Sequence, residues 1–188
     1  MSYSNLSGEA LDLFFESFIV ESEKPKISLK VIDNNPCKSK KDVDDVVSTL
    51  NKRERKLLCL DDKAEDHVGY MSNEETKAII GRFIVKVNNV PVSVFDLKDV
   101  GKHINASVVT RNGEEYRNKG YAVQAIKKGL RWYDNNKSKI NKPIVWWSDK
   151  KNVASQRIAE KCGFKKDLSL IKSKDKWLRD NWIKYVYK

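Results

Sequence analysis

The sequence has little of what several kinds of site require. Its three cysteines, Cys37, Cys59 and Cys162, lie far apart along 188 residues. An odd, scattered set is not a disulfide framework, and it fits a reduced, cytoplasmic setting. Its two histidines, His67 and His103, stand at no metal-ligand spacing from a cysteine or from each other, so no metal site is expected. No apolar run approaches the ~20 residues that span a bilayer. The stretch from Leu11 to Val20 is interrupted by Asp12 and Glu16 and lacks a basic leader, so neither a membrane partner nor a signal peptide is expected. No low-complexity linker or internal repeat divides the chain, and its length suits one core. Residues 1–188 are therefore read as a single domain.

Apolar residues make up 40% and aromatics 10% of the chain, enough for a folded core despite 34% charged residues. The net charge of +11 is unevenly placed. Residues 113–188 hold 20 Lys+Arg against 8 Asp+Glu, a net +12, and residues 1–112 carry −1. A basic half points to an anionic partner or to a lysine-rich solvated surface. No RNA- or DNA-binding motif accompanies it, so a phosphorylated cofactor is favoured over nucleic acid.

The apolar spacing orders the elements. Leu11, Phe14, Phe15 and Phe18 predict a helix, as do Val43, Val46, Val47 and Leu50, with Ser39 as an N-cap. Ile27–Ile32 alternates as a strand does, and residues 61–76 read as a loop. Ile79–Val87 and Val90–Leu97 predict two strands joined at Asn88-Asn89, a pair suited to a tight hairpin. Strands are also predicted at 104–110, 144–147, 168–172 and 182–187, and helices at 120–136 and 152–162. Gly163 and Phe164 follow the second helix as a C-terminal cap. A strand–helix–strand unit at 104–147 implies a right-handed parallel crossover. The fold class is α/β (α+β): a mixed, mostly antiparallel sheet with helices on both faces.

The loop before helix 120–136 carries Arg117-Asn118-Lys119-Gly120-Tyr121-Ala122. A helix N-terminus offers unpaired N–H groups and a positive dipole end, which suit phosphate. Gly120 lets the backbone approach an anion, and Arg117 and Lys119 add charge. This is no nucleotide P-loop, because G-x-x-x-x-G-K-[ST] is absent.

Downstream stand Asn152, Ser155, Ile158, Ala159, Lys161, Gly163 and Phe164. Together with Arg117, Gly120 and Ala122, separated from them by one helix and one strand, they resemble the GCN5-related N-acetyltransferase (GNAT) superfamily. The likeness covers 104–165 well. It extends through the hairpin, so that 79–165 is the recognisable core, and residues 1–60 match only in outline.

The resemblance implies a GNAT-like acyl-CoA N-acyltransferase fold, with acetyl-CoA as cosubstrate and an amine of a small molecule, peptide or protein as acceptor. The backbone of Val108, Val109 and Thr110 would hold the pantetheine arm, and a backbone N–H there would face the developing oxyanion. Amides from Asn118 to Ala122 would hold the pyrophosphate, with Arg117 and Lys119 beside them. Asn152 would contact the cofactor, cap its helix, or do both. Many relatives place a tyrosine acid seven residues after this Asn; here the position is Ala159. Ser155, Tyr185 and Tyr187 are alternative acids, although Ser155 also reads as a helix-surface hydroxyl. Asp96, Glu114, Glu115 and His103 are the candidates for a base. Of Trp146 and Trp147, at most one would line the acceptor pocket, since neighbours on a strand face opposite ways. A non-catalytic acetyl-CoA-binding module and an RNA- or ribosome-associated protein are the competing readings, and a homodimer is compatible with all three.

Overall fold

The turn at Asn88-Asn89 sets the sheet. Both asparagines take left-handed backbone (φ 49° and 66°), the geometry a two-residue hairpin needs. They join β2 (Ile79–Val87) to β3 (Val90–Asp99). The register slips by one residue between Val85 and Lys86. That bulge brings Phe83 opposite Phe95 and Arg82 opposite Asp96, so like meets like on each face.

A computed structural model describes residues 27–32, 40–57, 78–169 and 176–188. The other strands are β1 (Ile27–Ile32), β4 (Ile104–Thr110), β5 (Ile144–Asp149), β6 (Lys165–Asp167) and β7 (Trp182–Tyr187). Their order across the sheet is β1-β2-β3-β4-β5-β7-β6. Among the described residues only β4 and β5 pair in parallel. The helices are α1 (Lys40–Ser48), α2 (Lys52–Leu57), α3 (Tyr121–Ile140), α4 (Val153–Lys161) and α5 (Lys176–Asn181). The mixed sheet expected from the sequence is present, with helices on both faces.

The two faces are packed differently. On one, α3 and α4 cover Phe83, Phe95, Leu97, Ile104, Ile144, Trp146 and Tyr185. Gly129 on α3 permits this approach: a Cβ there would lie 2.5 Å from the Phe95 ring. On the other face Val43, Val46 and Val47 of α1, with Leu50 just beyond it, pack against Ile84, Val94 and Val109. Beside that cluster Arg82 and Asp96 form a two-pronged ion pair, Nε–Oδ1 2.7 Å and Nη2–Oδ2 2.7 Å. Both residues are out of solvent, at 0% and 4% exposure.

Several boundaries differ from expectation. Helix α3 runs four residues past 136, to Ile140, and closes on Asn141, whose left-handed N–H bonds Lys137 O at 2.8 Å. Of the strand expected at 168–172, Leu168 and Ser169 lie outside any strand and 170–172 lie outside the described residues; β6 is at Lys165–Asp167, where polar residues suffice for an edge strand that pairs on β7. Leu168 is 60% exposed beyond it. Helices α2 and α5 were not expected. The Gly163-Phe164 cap forms as expected: Gly163 N–H bonds Glu160 O and Phe164 N–H bonds Ala159 O, at 3.0 and 3.1 Å. The helix expected at 11–18, the Ser39 cap and the 61–76 loop lie outside the described residues. No helix of the described residues is long and apolar enough to cross a membrane.

Candidate functional site

Strands β4 and β5 begin together and then part. Their parallel register comprises Ile104↔Ile144, Asn105↔Val145 and Ala106↔Trp146. Beyond it β4 continues to Thr110 and β5 to Asp149. A cavity of about 1160 Å³ lies where they diverge. Its walls are β4 from Ala106 to Thr110, β5 from Trp146 to Asp149, the start of α3, the inner side of α4, and the α1–α2 corner from Val47 to Glu54.

The N-terminus of α3 opens on this cavity through Gly120, Tyr121 and Ala122. Gly120 sits at φ 79°, no side chain caps the helix, and its first turn holds no acid. A Cβ at Gly120 would meet nothing within 4 Å, so the space before these amides is open. Asn118 just upstream is also left-handed, at φ 58°. A 20-residue helix with an uncapped N-terminus presents N–H donors and a positive dipole end toward that space. This geometry fits a phosphorylated group.

The start of α4 is fixed by its neighbours. Asn152 Oδ1 accepts the backbone N–H of Ser155 at 3.1 Å, an N-cap. Ser155 Oγ accepts the indole N–H of Trp146 at 3.0 Å. All three residues line the cavity. Trp146 is 3% exposed. Its ring lies between Phe95, at 6.5 Å and 20°, and Phe164, at 5.5 Å and 62°. Trp147 faces the opposite side of the sheet, yet both tryptophans reach the cavity because it passes between the parted strands.

The corner of α1 and α2 is clasped to the loop before α3. Asp45 pairs with Arg111 at 3.0 Å, Thr49 Oγ1 accepts the Asn112 N–H at 2.9 Å, and Glu54 pairs with Arg117. Glu54 also closes a capping box: Asn51 N–H bonds Glu54 Oε2 and Glu54 N–H bonds Asn51 Oδ1, each at 3.0 Å. The Arg117 guanidinium thus already has a carboxylate partner.

The cavity gathers most of the residues singled out in the sequence: Val108, Val109, Thr110, Arg117, Asn118, Gly120, Tyr121, Ala122, Asn152 and Ser155, with Asp96 at one end. Lys119 does not line it, nor do Glu114, Glu115, His103, Tyr185 and Tyr187. The Glu115 carboxylate folds against Gly113. Burial, and then the charge of Lys184, lower the His103 pKa from its ordinary value. The Tyr185 hydroxyl donates to Glu160 at 3.1 Å, and burial with that bond pushes its pKa up to about 12. The Tyr187 hydroxyl donates to Asp134 at 2.9 Å and is likewise pushed up to about 12, mainly by burial. Sequence reasoning did not find Glu54 or the Trp146–Ser155 bond. The spacing Asn51-x-x-Glu54 was a readable capping signature; the indole bond joins a strand to a helix and has no such signature.

A family model described as an acetyltransferase (GNAT) domain matches residues 36–165. An acetyltransferase from Thermus thermophilus is similar in structure, with TM-score 0.61 at 15% identity, covering 87% of this chain and 99% of its own. A spermidine N-acetyltransferase from Vibrio cholerae gives 0.55 at 14%, covering 86% and 92%. A ribosomal-protein-S5-alanine acetyltransferase from Vibrio fischeri gives 0.53 at 12%, covering 88% and 94%. No curated protein sequence matches significantly.

Proposed function

The chain belongs to the GNAT acetyltransferase family and is an acetyl-CoA-dependent acetyltransferase, and from that premise we propose how its own residues divide the work on an amine acceptor. The amides from Asn118 to Ala122 hold the pyrophosphate of acetyl-CoA at the open N-terminus of α3. The backbone of Val108, Val109 and Thr110 flanks the pantetheine arm, and Asn152 lies beside it. The thioester sits where β4 and β5 part. The carbonyl oxygen, as it gains charge, faces a backbone N–H at Val109 or Thr110. Ser155 donates a hydrogen bond to the sulfur as the carbon–sulfur bond breaks.

The acceptor is an amine of a small molecule, peptide or protein, and it must lose a proton to attack. Asp96 is poorly placed to take that proton, because Arg82 holds both its oxygens. Glu115 lies off the cavity. The proton therefore leaves through water in the cavity rather than directly to either carboxylate. The relatives named for spermidine and for a ribosomal-protein alanine span both kinds of acceptor.

The observation that carries this reading is the single cavity that joins the parted strands to the uncapped N-terminus of α3. Calorimetric titration with acetyl-CoA should give a one-to-one isotherm. Thiol release should then follow with at least one member of a panel of polyamines, arylalkylamines and peptides with free N-termini. A chain that does not bind acetyl-CoA would defeat the assignment of residues.

A further inference from the structure

The role of Ser155 has a consequence for the tryptophan behind it. An indole nitrogen only donates, so in the Trp146–Ser155 pair the serine oxygen is necessarily the acceptor. The hydroxyl hydrogen remains, and it has no acceptor among the described residues. Ser155 is therefore fixed at two points, its backbone N–H by Asn152 and its oxygen by Trp146, with only the O–H free to turn toward the cavity.

The indole is itself immobilised. Phe95 and Phe164 flank it, and its backbone forms the last parallel pair before the strands part. A hydroxyl that accepts a hydrogen bond donates more strongly in turn. We propose that Trp146 is a positioning residue for the acyl-transfer step: its indole N–H fixes and polarises the Ser155 hydroxyl so that the O–H is presented to the sulfur of the leaving thiolate. The step balances simply. The amine nitrogen bonds the acetyl carbon and loses its proton to water. The carbon–sulfur bond breaks as the carbonyl re-forms, its electron pair stays on sulfur, and the O–H of Ser155 hydrogen-bonds that pair until solvent supplies the proton.

The proposal rests on Ser155 acting on the sulfur, and the experiment separates the two. Trp146→Phe keeps an aromatic ring and removes the N–H; Ser155→Ala removes the hydroxyl; the double variant removes both. Each is assayed by thiol release from acetyl-CoA with the best acceptor from the amine panel, and by calorimetry for acetyl-CoA binding. Each single variant should lose roughly tenfold in kcat, the scale of one hydrogen bond. The KM for acetyl-CoA should stay within about twofold, and the double variant should be no slower than Ser155→Ala alone, as residues of one unit behave. Ser155→Thr, which keeps a hydroxyl, should recover most of the rate.

Full activity in Ser155→Ala would remove the role of the serine and the proposal with it. A slow Ser155→Ala beside a fully active Trp146→Phe, or losses that multiply in the double variant, would overturn the positioning role alone. If Trp146→Phe does not fold, the Trp146 indole proton signal by nitrogen-15 NMR gives the answer. It should move upfield in Ser155→Ala, and an unmoved signal would show that the bond is absent.

Discussion

The two faces of the sheet solve the same burial problem with different chemistry. Under α3 and α4 the core is aromatic and aliphatic, and Phe83, Phe95, Trp146 and Phe164 form a continuous chain of ring contacts. Under α1 a small aliphatic cluster gives way to Arg82 and Asp96, a charged pair that is almost fully buried. The apolar face gains from each area it removes from water, whereas the ion pair must first offset the desolvation of both groups. The contrast shows where a carboxylate in this cavity belongs. Asp96 lies beside the parted strands, but its bonds tie it to the scaffold.

The largest test of that contrast is Asp96→Ala. Removing the carboxylate that the buried Arg82 guanidinium bonds through Nε and Nη2 should cost about 3–5 kcal/mol, read as a lower melting temperature. Replacing both residues with apolar ones of similar volume should restore much of the loss. If Asp96→Ala melts normally and is inactive, the carboxylate belongs to catalysis and the contrast fails. On the other face, Gly129→Ala sets a methyl against the Phe95 ring, and overpacking of this kind should cost about 1–3 kcal/mol in chemical denaturation.

Asn152→Ala, at the junction of the two, should cost about 1 kcal/mol through the lost cap. Asn152→Ser keeps the cap, so a persistent rise in the Kd of acetyl-CoA would isolate the cofactor contact. The smallest effect concerns a partly exposed counterpart of the buried pair. Asp167 bonds Lys184 at 2.8 Å, and chiefly through that bond its pKa falls from 3.8 to about 2. A carboxyl lowered by folding stabilises above its unfolded pKa and loses that contribution as the pH falls through its folded one. Between about pH 4 and pH 2 the wild type should therefore lose slightly more stability than Asp167→Asn, within the range of under ~1 kcal/mol expected of surface pairs.

Much of this was legible because patterning and turn chemistry agreed. β-rich runs from Ile79 to Thr110, broken by two asparagines, located β2, β3 and β4. The bulge after Val85 was not legible. Without it Arg82 would lie across from Phe95, and nothing in the spacing reveals that it meets Asp96 instead. Asp96 thus read as a loose carboxylate near a site, where the structure holds it in a pair. Helix α2, Lys-Arg-Glu-Arg-Lys-Leu, has no apolar period to read; Glu54 stabilises it from one end and ties the loop before α3 to it. Strand β6 escaped for the opposite reason: Leu168 looked like core, and an edge strand needs none.

The early parting of β4 and β5 has one more effect. Ser107 to Thr110 pair with β3 but lie beyond the parallel ladder with β5, so the sheet opens on that side of β4. A ligand that settles there adds contacts only to the folded chain, and mass action converts them into thermal resistance. At about one hundred times its dissociation constant, acetyl-CoA should raise unfolding stability by ~2.7 kcal/mol. The melting temperature of this protein is then a reading of how much cosubstrate surrounds it.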